Sequence, residues 1–199
     1  TCNGCSRRYG HRANENKMSR GSIDKKKKKN LIDNILECEL KLGYANTPIC
    51  FYYPITSLME LLECEEPEIT SAIQHFLERE LPRLGKVIIK EQANEKGRYA
   101  VTIPVEGIRW VHAHFQPTDF MRLLISEINR PGNTLEDIVK IFTHFSLDVD
   151  VKKVSDKEWV IRFVDESIDP YVYHIEQNEF GFEYHRFTRE AYEKTMGEP

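Results

Sequence analysis

The chain lacks the features that mark out special protein classes. Its longest apolar runs, such as residues 49–53, fall far short of the roughly 20 residues that a helix needs to cross a bilayer. No basic stretch followed by an apolar one opens the sequence, so no secretory leader is read there. Five cysteines are an odd number and too few for a disulfide scaffold. Cys38, Cys50 and Cys64 stand in apolar surroundings, where a free thiol behaves as a small buried hydrophobe, and a reducing, cytoplasmic setting is expected. A Gly-rich phosphate loop, a Gly-x-Ser-x-Gly elbow and a His-Glu-x-x-His helix are all missing. Nothing therefore names an enzyme or a cofactor, and a non-enzymatic role is the simpler expectation.

What is present is an ordinary globular composition, 40% hydrophobic and 11% aromatic, enough to offset the entropy of ordering the chain. The net charge of −4 conceals an asymmetry. Residues 1–30 hold ten Lys or Arg against Glu15 and Asp24, a balance of +8, which leaves −12 for the remainder. Proteins that grip duplex DNA ordinarily present a basic face to its phosphates. This body is acidic, which disfavours nucleic acid as a partner.

Residues 1–24 are polar and aperiodic and read as a disordered arm. From Asp24, a good N-cap, Leu31, Ile35, Cys38 and Leu42 recur at helical spacing up to Gly43. A second helix follows Pro54, with Ile55, Leu58, Leu61 and Leu62. After the break at residues 65–67, Ile69, Ala72, Ile73, Phe76 and Leu77 form the one-sided stripe of a third helix. Residues 86–92 and 98–103 read as strands joined by a turn at residues 94–97, and residues 105–115 as a closing helix. Beyond Pro117, Thr118 or Asp119 and Thr134 cap two more helices, with Asp137 completing a capping box at the second. The period then switches to two. Residues 150–154, 159–164, 171–177 and 182–187 read as four strands, and Thr188 caps a terminal helix over residues 189–196.

Helix, two-helix unit, β-hairpin and closing helix follow one another in the order of a winged helix. In detail, residues 57–62 resemble the second helix of that superfamily, residues 68–80 its recognition helix, residues 97–102 the returning wing strand and residues 107–111 the next helix. The expected fold is thus α+β: an arm over 1–24, a winged-helix-like domain over 25–115, and a small domain of two helices and a four-strand antiparallel sheet over 116–199. The resemblance implies a scaffold that serves DNA, RNA or protein binding alike. Taken whole, the chain is also similar to a bacterial family with a domain of unknown function, through the Tyr-His-Ile and Tyr-His-Arg-Phe-Thr-Arg-Glu segments of residues 173–190. That similarity implies no chemistry.

Three sets of residues are candidates for function. Cys2 and Cys5 have the spacing of half a zinc site and His11 is a possible third ligand, but no second pair follows, so no metal is expected. Lys25, Lys26 and Lys27, with Gln74 of the third helix and Lys96 and Arg98 of the wing, are the side chains that would touch nucleic acid. Against them, the outward positions of the third helix are Glu68, Ser71, Gln74, His75, Glu78 and Arg79, in which carboxylates flank the base-reading groups. In the C-terminal hairpin Tyr173, His174, Tyr184 and His185 form the third set. A glycine bulge at Gly181 would set His174 opposite Arg186, whereas a turn at residues 178–179 would set it opposite Glu183. Such pairs commonly stabilise sheets without further purpose. His112 and His114, two apart on a helix, diverge by about 200° and cannot share a metal.

The functional expectation is an interaction module that binds another protein or a second copy of itself. The rival is a DNA-binding regulator with a C-terminal sensing domain. An enzyme using the His/Tyr hairpin trails both.

Overall fold

A computed structural model of the protein describes residues 12–44, 46–92 and 97–196. The fold is α+β, in two compact units: one takes the chain up to Cys38 with residues 45–115, the other residues 39–44 with 116–199. Cys2, Cys5, His11 and Lys96 lie outside the described residues.

In the first unit helix α1 runs from Arg12 to Leu42. It begins well before Asp24, which therefore sits inside a helix and caps nothing. Residues 12–23 carry no apolar stripe to signal a core-facing helix, yet their Arg, Ala, Glu, Lys and Met favour helical backbone. Leu31, Ile32, Ile35 and Leu36 are its buried apolar side chains among the described residues. Strand β1, Ile49–Pro54, follows, then α2, Ile55–Leu62, and a 3₁₀ turn over Glu66–Glu68 leading into α3, Ile69–Glu80. A second 3₁₀ turn, Pro82–Leu84, precedes β2, Ile88–Glu91, and β3, Arg98–Ile103, before α4, Val105–His114.

The three strands form one antiparallel sheet in the order β1-β3-β2. Sequence periodicity passes over β1, because a short apolar run becomes a strand only when β3 supplies its hydrogen bonds, here from Ile49 opposite Ile103 to Pro54 opposite Arg98. Pro54 accordingly ends a strand rather than opening α2. On the inner face Tyr99, Val101 and Ile103 are buried, along with Leu58, Ile69, Ile73, Phe76, Leu77, Ile108 and Val111 from the helices of the same unit.

The second unit contains α5, Asp119–Ile128, α6, Leu135–Phe145, the strands β4, Val149–Ser155, β5, Glu158–Phe163, β6, Tyr171–Asn178, and β7, Gly181–Thr188, and the terminal helix α7, Arg189–Met196. The sheet is a meander, β4-β5-β6-β7. Thr118 Oγ1 accepts from Met121 N at 3.1 Å, Thr134 and Asp137 form the full capping box, and Thr188 Oγ1 accepts from Ala191 N at 3.2 Å. All three helix starts are local in origin, which is why they are readable from sequence.

The core is an aromatic cluster. Phe120 stands edge-on to Phe142, Phe163 and Tyr173 with ring centroids 4.9, 4.9 and 5.6 Å apart, and Phe142 meets Tyr173 at 5.5 Å. Such pairs add about 0.5–1.5 kcal/mol each beyond the area they bury. Leu124, Ile138 and Phe142 are buried as a packed helix layer requires, but Leu123 is 42% exposed. Residues 171–175 of β6 are buried without alternation. The strand is covered on both faces, since α7 packs against β6 and β7 and brings Tyr192 onto Val160, Val172 and Phe187.

Candidate functional site

The face of α3 that a winged helix would turn toward DNA is laid out as its periodicity predicts: Glu68, Ser71, Gln74, His75, Glu78 and Arg79 are all exposed. Its polar groups are engaged with one another. Gln74 Nε2 donates to Glu78 Oε1 at 3.2 Å, and Ser71 Oγ donates to the Glu68 carbonyl at 2.9 Å. Arg79 meets Asp24 at 2.6 Å and Glu80 at 2.8 Å, and these carboxylates hold its guanidinium pKa above the usual value, the Glu80 hydrogen bond foremost. A shallow depression beside the C-terminal half of α3 is lined by Leu77, Glu78, Pro82, Lys86, Val87 and Ile89.

The lysine run divides. Lys25 and Lys26 are exposed, whereas Lys27 is turned inward and is only 9% exposed. Its charge lies near the Cys64 thiol, opposing the burial that, with Glu68 and Glu65, raises the pKa of that thiol. Cys50 is exposed rather than buried, because it falls on the outward side of β1. Arg98, at the start of β3, is exposed.

The outer face of the β1-β3-β2 sheet was not legible without β1. Directly paired residues share a face, and the pairs Cys50–Thr102, Tyr52–Ala100, Pro54–Arg98, Ile88–Thr102 and Lys90–Ala100 define it. Tyr52 is 55% and Ile88 47% exposed there, and Lys90 and Arg98 are exposed as well. Among the described residues of the three strands, the outward positions include no Asp or Glu.

The C-terminal hairpin adopts neither register anticipated from sequence. Glu179 and Phe180 form a two-residue turn, Asn178 pairs with Gly181, and His174 lies opposite His185 rather than Arg186 or Glu183. Asn178 Oδ1 accepts from Phe180 N at 2.9 Å, and Gly181, at φ 133°, provides the positive φ that closes the turn. The consequences for the four hairpin residues differ. Tyr173 points into the aromatic core, where its hydroxyl donates to the buried Asp169 at 3.1 Å. Tyr184 is also on that face, with the Lys41 ammonium 4.0 Å above its ring. His174 is on the opposite face and 6% exposed, its Nδ1 3.3 Å from Glu176 Oε1 and its Nε2 buried with no hydrogen-bond partner. His185 is exposed. The two tyrosines and two histidines thus occupy opposite faces and do not form one site.

The same register builds a feature that sequence spacing left hidden. Glu158 lies opposite Glu176, and Glu176 opposite Glu183, so three carboxylates cross adjacent strands on one face. At the tip of that hairpin Phe180 is 90% exposed, flanked by Glu179. Like charges directly opposed weaken a sheet, so the row costs stability.

His112 and His114 are exposed on α4, and His114 Nδ1 donates to the Trp110 carbonyl at 2.8 Å. Among the described residues no group of three or more His, Cys, Asp or Glu is placed to hold a metal ion. No helix among them is long and apolar enough to cross a membrane. Neither the curated proteins nor the solved structures contain a match to this chain. A family model does match over residues 24–196, and by it the chain belongs to the bacterial family described as a domain of unknown function, E. rectale gene description (DUF3877).

Proposed function

We propose that the protein is an interaction module whose first unit is a winged helix used to contact protein rather than to read DNA. The fold assignment is supported by the order helix, strand, helix, helix, strand, strand and by the sheet order β1-β3-β2. The observation that carries the functional reading is the exposed face of α3. Base reading needs free Arg, Lys, Asn or Gln with cations around them. Here Gln74 is held by Glu78, Arg79 is held by Asp24 and Glu80, and Glu68 and Glu78 would meet phosphate with like charge.

Of the candidate contacts outside the helix that confers sequence preference, Lys25, Lys26 and Arg98 are exposed and Lys96 lies outside the described residues. The test is fluorescence anisotropy of the chain with a labelled duplex, titrated from about 0.05 to 0.2 M salt. We expect no saturable binding at the higher salt, and at the lower salt only weak binding that Lys25→Gln with Lys26→Gln abolishes. Binding that survives about 0.2 M salt and is lost on Gln74→Ala would establish the DNA-binding regulator instead.

A further inference from the structure

Strand β4 ends the sheet of the second unit on one side, with β5 as its neighbour on the other. Its residues from Val151 to Ser155 are exposed, Val151 by 42%. The Asp148 carbonyl accepts from Val164 N at 3.1 Å. That bond sets the alternation along the strand. Asp148, Asp150 and Lys152 turn their backbone groups toward β5, and Val149, Val151 and Lys153 turn theirs outward, away from the sheet. An edge of this kind is a template for a further strand.

The side chains narrow what that strand can be. A second β4, antiparallel about a two-fold axis, brings outward groups to outward groups where the axis passes through a residue. An axis at Val149 opposes Asp148 to Asp150, and one at Asp150, Lys152 or Lys153 opposes that residue to its own copy, always with like charges. An axis at Val151 instead opposes Asp150 of each copy to Lys152 of the other. Asp150 and Lys152 share a face, paired with Arg162 and Val160 of β5. Asp150 Oδ2 accepts from Arg162 Nε at 3.0 Å, which leaves Oδ1 for a second cation. Lys152 is exposed and has no carboxylate partner among the described residues. Lysines and bulges on an edge ordinarily discourage pairing. Here the bulge falls between Lys153 and Ser155, past the last pair of this register, and Asp156 holds the Lys153 ammonium at 2.7 Å.

We infer that two copies of the chain associate through β4, antiparallel and centred on Val151, so that their four-stranded sheets join into one. Val151 pairs with Val151 of the second copy and Val149 with Lys153, each pair exchanging two backbone hydrogen bonds. The contact is isologous and closes at a dimer. Main-chain hydrogen bonds give the attraction, as in other strand additions, and the two Asp150–Lys152 pairs select register and partner. The inference goes beyond the reading of the first unit and holds whether α3 contacts protein or DNA.

The experiment is sedimentation velocity on the full chain up to about 1 mM, a range that reveals even weak association. The wild-type chain should form dimers and nothing larger. Val151→Pro removes an outward N–H at the centre of the pairing and none of the hydrogen bonds to β5, so it should weaken dimerisation at least about tenfold. Asp150→Lys and Lys152→Glu each turn both ion pairs into repulsions, and each should weaken it at least about fivefold. Mixed, these two chains should associate as tightly as the wild type, since each supplies the complement of the other. Amide hydrogen exchange locates the contact, and the Val149, Val151 and Lys153 amides should slow as chain concentration rises. A chain still monomeric at about 1 mM overturns the inference. So does association that Val151→Pro leaves unchanged, a mixture no tighter than its components, or a Val151 amide that exchanges equally fast in monomer and dimer.

Discussion

Replacing a helical glycine with alanine ordinarily stabilises a protein, and in α4 the structure reverses that sign. Alanine exceeds glycine in helix propensity by about 1 kcal/mol. Gly107 lies in the first turn of α4 and is buried. A Cβ built there would stand 2.3 Å from the carbonyl oxygen of Leu84, 2.9 Å from its carbonyl carbon and 3.0 Å from its Cα. All three atoms are backbone, in the 3₁₀ turn that leads to β2, and Leu84 itself is fully buried. No side chain can swing aside to make room. The turn or the helix must move by well over half an ångström, against a cost for overpacking of about 1–3 kcal/mol, and more where the obstacle is backbone.

The cost exceeds the propensity gain, so Gly107→Ala should destabilise by roughly 1–2 kcal/mol net. Gly21, helical within α1 with nothing within 4 Å of its virtual Cβ, is the internal control. Gly21→Ala makes the same chemical change without obstruction and should raise helicity. Urea unfolding of the full chain, followed by circular dichroism, measures both, with the Gly107 effect confined to the transition of the first unit. A Gly107→Ala protein as stable as the wild type would refute the close approach of α4 to the Leu84 turn.

Two further outcomes follow from local geometry. Asp137 has its pKa lowered, first by the hydrogen bond from the Thr134 hydroxyl and then by that from the Thr134 backbone, so its contribution is present above the unfolded carboxylate value of 3.8 and is lost as pH falls through the folded value. Thr134→Ala removes an N-cap, which ordinarily costs about 1 kcal/mol at neutral pH, and it should flatten the acid limb of the stability profile, as read by thermal melts between pH 7 and 3. His174 and His185, directly paired, should respond unequally to truncation: His174→Ala should cost more than about 1 kcal/mol and His185→Ala less than about 0.5 kcal/mol. Equal effects in urea titrations would contradict the burial of His174.

Legibility followed the range of the interactions. The helices over 55–62, 69–80, 119–128 and 135–145 declare themselves through apolar spacing and caps within a few residues, as at Thr118 and Thr134 with Asp137. The outward residues of α3 follow from the same periodicity, because a helix sets its own faces. The polar first half of α1 was missed, since helix propensity without an apolar stripe resembles an arm. Strand β1 was missed because its hydrogen bonds come from β3, some fifty residues away.

The sequence by itself determined the α+β class, the order of most elements and the charge asymmetry, all of which depend on composition and on contacts within a turn or two. Only the tertiary structure decided which face each hairpin residue occupies. A one-residue slip in pairing exchanges the faces of a strand, and Asn178, Phe180 and Gly181 chose a register that neither turn rule anticipated. That choice set His185 opposite His174 and Glu183 opposite Glu176, while the pairing of β5 with β6 set Glu158 opposite Glu176 and completed the row. Tyr52 likewise joined Ile88, Lys90 and Arg98 on one sheet face only when β1 paired with β3, some fifty residues further along the chain.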